Sequence, residues 1–146
     1  MFNNILLVCV GNICRSPIAE QIFKNRFPEK NISSAGISVD KSGLSGSAAN
    51  ESALKIAKKN GVDISSHLAK QLTSEICSKF DLILVMEKGH ISALSEICPE
   101  ARGKTMLLTQ WLNKEDIPDP YRQSEEAFEY VFDIILKSVS SWENKI

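Results

Sequence analysis

The sequence predicts an α/β fold of three layers: a four-stranded parallel sheet with helices on both faces. Three observations lead there. The runs NILLVCV and DLILVM are apolar on most residues, as strands covered on both faces are, and KTMLLTQ carries a shorter apolar stretch. Between them lie segments whose apolar residues recur at helical spacing. Strands that alternate with helices are joined by crossovers, and crossovers make neighbouring strands parallel.

The elements follow in order. NILLVCV is the first strand, and GNICR is a short loop. SPIAEQIFKNRF is a helix with Ser16 as N-cap and Pro17 as first helical residue; it ends near Pro28. NISSAGI is a second strand and SVDKSGLSGSA a Gly/Ser-rich loop. NESALKIAKKNG is a helix capped by Asn50 and stopped by Gly61. TSEICSKF is a short helix from a Thr73 cap, and DLILVM the third strand. EKGHISALSEI is helical up to Pro99, and KTMLLTQ is the fourth strand. NKEDIPDPYR is a loop with two prolines, and SEEAFEYVFDIILKSVSSW is the last helix. Phe128, Val131, Phe132, Ile135, Val139 and Trp142 mark its apolar face.

The chain of 146 residues suits one domain, 1–146, and no repeat or linker interrupts it. A net charge of −1 gives no footprint for nucleic acid. The apolar runs are too short for membrane insertion, and the N-terminus has no signal-peptide pattern. Four cysteines do not make a disulfide scaffold, so a reducing, cytoplasmic setting is expected. Cys77 and Cys98 are isolated in sequence, and no zinc spacing is present, so no metal or other cofactor is expected.

In open parallel sheets, sites lie beyond the carboxyl ends of the strands. There the first strand delivers Cys9, followed five residues later by Arg15 and then Ser16. A tight loop before a helix N-terminus aims successive backbone N–H groups inward, and the helix dipole adds positive charge. Val10, Gly11, Asn12, Ile13, Cys14 and Arg15 therefore form a candidate phosphate cradle, with Arg15 able to clamp two oxygens. The donors that hold a phosphate also favour a thiolate, so one loop can make both the nucleophile and its pocket. A Walker A loop or a dinucleotide fingerprint fits badly, because the loop lacks their further glycines and the Gly-Lys ending. An aryl leaving group also needs a proton donor. DIPDPYR offers Asp116 and Asp119; prolines flank Asp119 and stiffen it, and Tyr121 follows at the mouth of a pocket.

VCVGNICRSPIAE, SSAG, SHLAKQLT, DLILVME and IPDPYR, in this order, resemble the low-molecular-weight protein tyrosine phosphatases over nearly the whole chain. The resemblance implies Cys9 as nucleophile, Arg15 as clamp and Asp119 as general acid, then base. It implies loop support by Asn12, Ser16, Ser34 and His67, and a substrate slot lined by Ile13 and Tyr121. Cys14 matches a second loop cysteine able to form a reversible disulfide with Cys9; a packing residue of the loop is the lesser alternative. The loop after Gly36 has no aromatic, which predicts a slot open on that side. That feature and Arg122 after Tyr121 are like the bacterial subgroup tied to capsule and exopolysaccharide export. The implied partner is a phosphotyrosine protein, with a bacterial tyrosine autokinase as one candidate, and a monomer is expected.

Two other readings stand beside this one. An arsenate reductase of the same fold relays a disulfide through closely spaced later cysteines, whereas Cys77 and Cys98 are far apart in sequence. A binding module without catalysis would need neither thiolate nor acid. Four side chains receive no role: His90 reads as a surface helix residue, Asp116 as a solvated loop charge, and Cys77 and Cys98 as core or surface positions.

Overall fold

The computed structural model describes residues 2–146. Its elements are β1 (Asn4–Cys9), α1 (Arg15–Arg26), β2 (Asn31–Gly36), α2 (Glu51–Lys59), α3 (Ser74–Cys77), β3 (Leu82–Val85) and α4 (Lys88–Ile97). A 3-10 turn (Pro99–Lys104), β4 (Thr105–Leu107) and α5 (Glu125–Ser141) complete the chain. The four strands form one parallel sheet in the order β2-β1-β3-β4. β1 is central, so its carboxyl end opens between β2 and β3.

Side chains alternate across this sheet and build two cores. Ile5, Leu7 and Cys9 of β1 face α1, α2 and α5, where Phe23, Ile56, Phe132 and Ile135 are buried. Leu6 and Val8 face the other way, onto Cys77, Leu94, Cys98 and Ala101. Every residue of the α5 stripe from Phe128 to Trp142 named above is buried. Burial of each such large side chain contributes roughly 1.5–3 kcal/mol, which holds α5 against α1. The Trp142 indole N–H donates to the Leu108 carbonyl at 2.8 Å, and Trp111 stands edge-on to it with ring centroids 5.6 Å apart.

The caps explain most helix starts. Asn50 accepts from Ser52 N and Ala53 N, Thr73 from Ile76 N, and Ser124 from Ala127 N. Gly61, at φ +75°, lets the chain leave α2. The first helix departs from expectation. Arg15 is already helical, and Ser16 and Pro17 lie inside its first turn without capping it. The Ser16 hydroxyl turns instead to Cys9. β4 is also shorter than the expected strand KTMLLTQ, because a turn closes at once, with Gln110 N donating to Leu107 O. Among the described residues no helix is long and apolar enough to cross a membrane.

Candidate active site

β1 ends at Cys9, and residues 10–14 loop over to the start of α1. The carbonyls of this loop are held from behind. Cys9 O accepts from Ile37 N, Val10 O from Ser38 N, and Ile13 O from Asn50 N, at 2.8–3.0 Å. Asn12 O lies 2.6 Å from His67 Nε2. In a trans peptide the following N–H points opposite to the carbonyl. The amides of Val10, Gly11, Ile13 and Cys14 are thereby aimed away from these partners, into the bowl above Cys9.

Asn12 fixes the shape. Its φ of +56° is left-handed, a conformation Asn tolerates better than most side chains. Its Nδ2 donates to Ser16 Oγ at 2.8 Å and Ser34 Oγ at 2.9 Å, and its Oδ1 accepts from Lys70 N at 3.0 Å. Ser34 in turn donates to Glu20, which pairs with Lys24. Gly36 is required here by space. A Cβ would lie 2.7 Å from Val10 O and 2.5 Å from Val39.

Cys9 is almost fully buried at the floor of the bowl. Its sulfur lies 2.9 Å from Ser16 Oγ and accepts from Asn12 N at 3.3 Å. Arg15 is 2 % exposed, with Nη1 on Glu87 Oε2 at 2.5 Å and on Ile117 O at 2.8 Å. A guanidinium this deep needs a counter-charge, and Glu87 supplies it. Nη2 lies 3.9 Å from Asp119 Oδ2. Asp119, half exposed, holds Tyr121 N through its other oxygen, and the loop beneath it is pinned by Ile117 N on Met86 O.

Together these residues line a cleft of about 240 Å³: Cys9, Val10, Gly11, Ile13, Cys14, Arg15, Ser42, Leu44, Asp119 and Tyr121. A larger groove of about 600 Å³ along α2 contains no cysteine and none of the loop residues 9–15. Asn12, Ser16, Ser34 and His67 stand behind the cleft wall. Burial, together with the negative charge of Cys9, pushes the Cys14 thiol up to about 12, so it stays protonated. Burial also holds His67 below its ordinary value, which keeps the ring neutral against Asn12 O.

Residues 4–146 match the family model for low molecular weight phosphotyrosine protein phosphatases. The chain belongs to that family. The protein tyrosine phosphatase Etp of Escherichia coli is 43% identical to this phosphatase over 99% of the chain and 95% of its own length. Vibrio vulnificus Wzb, solved with benzylphosphonate, superposes with a TM-score of 0.98 at 53% identity, each chain fully covered. Wzb of E. coli K30, solved with sulphate, gives 0.94 at 45% identity with 99% of each chain covered.

Several side chains of the phosphatase sit otherwise than expected. His90 is not a surface residue. It is 6 % exposed, with Nε2 3.6 Å from Glu87 Oε2 and a buried Nδ1 that has no partner among the described residues. Asp116 is not simply solvated: it accepts from Lys88 N at 2.8 Å and so caps α4 from a distance. This frees Glu87, the residue preceding α4, for Arg15. Beyond Gly36, where no aromatic stands, Leu44 lines the cleft, 3.2 Å from where a Gly11 Cβ would be. Cys77 and Cys98, distant in sequence, are buried in the same cluster, with Cys98 Sγ donating to Glu100, but on the sheet face opposite Cys9. Glu87 and Leu44 received no role from the sequence; the only signal for Glu87 was its place at the carboxyl end of β3.

Proposed function

We propose that this phosphatase hydrolyses phosphotyrosine through a cysteinyl-phosphate intermediate. The observation that carries the reading is that Cys9, Arg15 and Asp119 line one narrow cleft. The phosphate dianion would lie on the amides of Val10 to Arg15, its equatorial oxygens held by those N–H groups and the Arg15 guanidinium. The Cys9 thiolate, stabilised by the Ser16 hydroxyl and Asn12 N–H, attacks phosphorus in line. The S–P bond forms as the P–O bond to the tyrosine ring breaks. Asp119 gives its proton to the departing phenolate oxygen, whose bare anion would be a poor leaving group at neutral pH. The same carboxylate then takes a proton from water, which attacks phosphorus and returns Cys9 and inorganic phosphate. Arg15 and the amides supply the positive charge, so this scheme calls for no metal.

Asn12, Ser16, Ser34 and His67 hold the cradle in shape, while Ile13, Leu44 and Tyr121 form the slot for the aromatic ring. Cys14 is the proposed resolving thiol. Peroxide oxidises the Cys9 thiolate to a sulfenic acid with release of hydroxide. Condensation with protonated Cys14 then forms a disulfide and expels water. We infer a cytoplasmic enzyme of one domain, 1–146, acting as a monomer on a phosphotyrosine protein, with a tyrosine autokinase of the exopolysaccharide export systems, or its substrates, as the candidate.

The deciding test is hydrolysis of an aryl phosphate. It should be inhibited by vanadate, insensitive to chelators and abolished in Cys9→Ser with the fold intact. Turnover retained by that variant would overturn the mechanism.

A further inference from the structure

One carboxylate oxygen faces both a guanidinium and an imidazole. Glu87 Oε2 lies 2.5 Å from Arg15 Nη1 and 3.6 Å from His90 Nε2. The longer distance is outside hydrogen-bond range, so a neutral His90 leaves the carboxylate to Arg15. A protonated ring would draw on the same oxygen. We propose that His90 is a positioning residue for the phosphate clamp: it sets how far Glu87 compensates the Arg15 charge, and so couples anion binding to the uptake of a proton.

The charges around the ring fix the sign. His90 faces Arg15 from the start of α1, Glu87 from the turn before its own helix, and Asp116 and Asp119 from the loop after β4. With His90 neutral, Arg15 and Glu87 sum to zero. With it protonated, the cluster carries one positive charge more. A dianion bound at Arg15 meets a more positive site in the second case, and by reciprocity its arrival favours the proton. Burial, followed by the Arg15 charge, holds the empty site's ring below the ordinary histidine range. A bound dianion cancels the Arg15 contribution. The buried, unpartnered Nδ1 marks a ring whose place is not explained by hydrogen bonding within the fold.

The inference rests on Arg15 being the phosphate clamp, and the test separates the two. Sulfate is the probe, because its charge is constant across the range. The protein is the full chain with Cys9→Ser, which removes the thiol's own titration. The chain has only two histidines, His67 and His90, so proton NMR resolves each ring, and His90→Gln assigns the signals. With saturating sulfate the His90 midpoint should move to higher pH. Sulfate should bind about tenfold tighter near pH 5.5 than near pH 7.5. Most of that difference should vanish in His90→Gln, with the His67 signal unchanged. If sulfate binds but leaves the His90 midpoint where it was, the inference is wrong, as it is if His90→Gln keeps the full pH dependence. If sulfate does not bind at all, the clamp reading falls and takes the inference with it.

Discussion

The Arg15–Glu87 ion pair, 2.5 Å long, ties the N-terminus of α1 to that of α4 across the carboxyl edge of the sheet. It fixes one edge of the guanidinium and leaves the other toward the cleft. Glu87→Ala should lower kcat by roughly tenfold, about 1.4 kcal/mol of transition-state stabilisation. Inorganic sulfate should not bind correspondingly more weakly, because the lost group orients Arg15 rather than contacting the anion. Steady-state kinetics beside sulfate inhibition would show the split. A proportional loss in both would argue that Glu87 acts through general stability.

Asn12 combines a left-handed backbone with three side-chain hydrogen bonds. Asn12→Ala removes the bonds and keeps the strain, so unfolding in urea should show a loss of roughly 2–4 kcal/mol. Asn12→Gly relieves the strain alone and should recover part of that stability. If it recovers activity as well, the hydrogen bonds are not what shapes the cradle.

Asp119→Ala should slow substrates with poor leaving groups far more than those with good ones, by about 10²-fold or more. Comparing an alkyl-substituted with a nitro-substituted phenyl phosphate makes the measurement. Equal slowing of both would assign Asp119 to binding instead.

Both histidines are held below their ordinary values, burial being the largest cause for each. On acidification the unfolded chain therefore binds protons first. Stability contributed by the neutral rings is complete above about pH 6.5 and declines as pH falls toward their folded values. Urea unfolding should become easier between about pH 7.5 and 5.5. His67→Gln, which retains a donor for Asn12 O, should reduce that slope. A stability independent of pH across this window would contradict the assignment of neutral rings.

Mild peroxide should inactivate the wild type, and reductant should restore it. In Cys14→Ala recovery should be largely lost, because a sulfenic acid with no resolving thiol oxidises further. Unchanged recovery in the variant would remove Cys14 from the redox chemistry.

What the sequence made legible was whatever depends on local pattern. The apolar strands, the Asn50, Thr73 and Ser124 caps and the α5 stripe all follow from side-chain period and capping chemistry. Misreadings arose where a side chain served a distant partner. Ser16 had the chemistry of a cap, but the Cys9 sulfur and Asn12 compete for its hydroxyl more strongly than a helix amide does. Glu87 and His90 stand at the end of β3 and in α4, and nothing in their neighbours reveals Arg15, which approaches from α1. Leu44 filled a wall for which only an aromatic had been considered. Cys77 and Cys98 meet only because α3 and the end of α4 cover the same sheet face.

The two tryptophans have a practical bearing on the acid loop. Trp142 is immobilised by its bond to Leu108, while Trp111, 43 % exposed, sits on the segment that runs from β4 to Asp119. One indole is fixed in the core, and the other lies at the root of the acid loop in edge contact with it. The half-exposed Trp111 thus makes the surroundings of the acid-bearing segment visible to intrinsic fluorescence, with no label attached and no residue of the cleft altered.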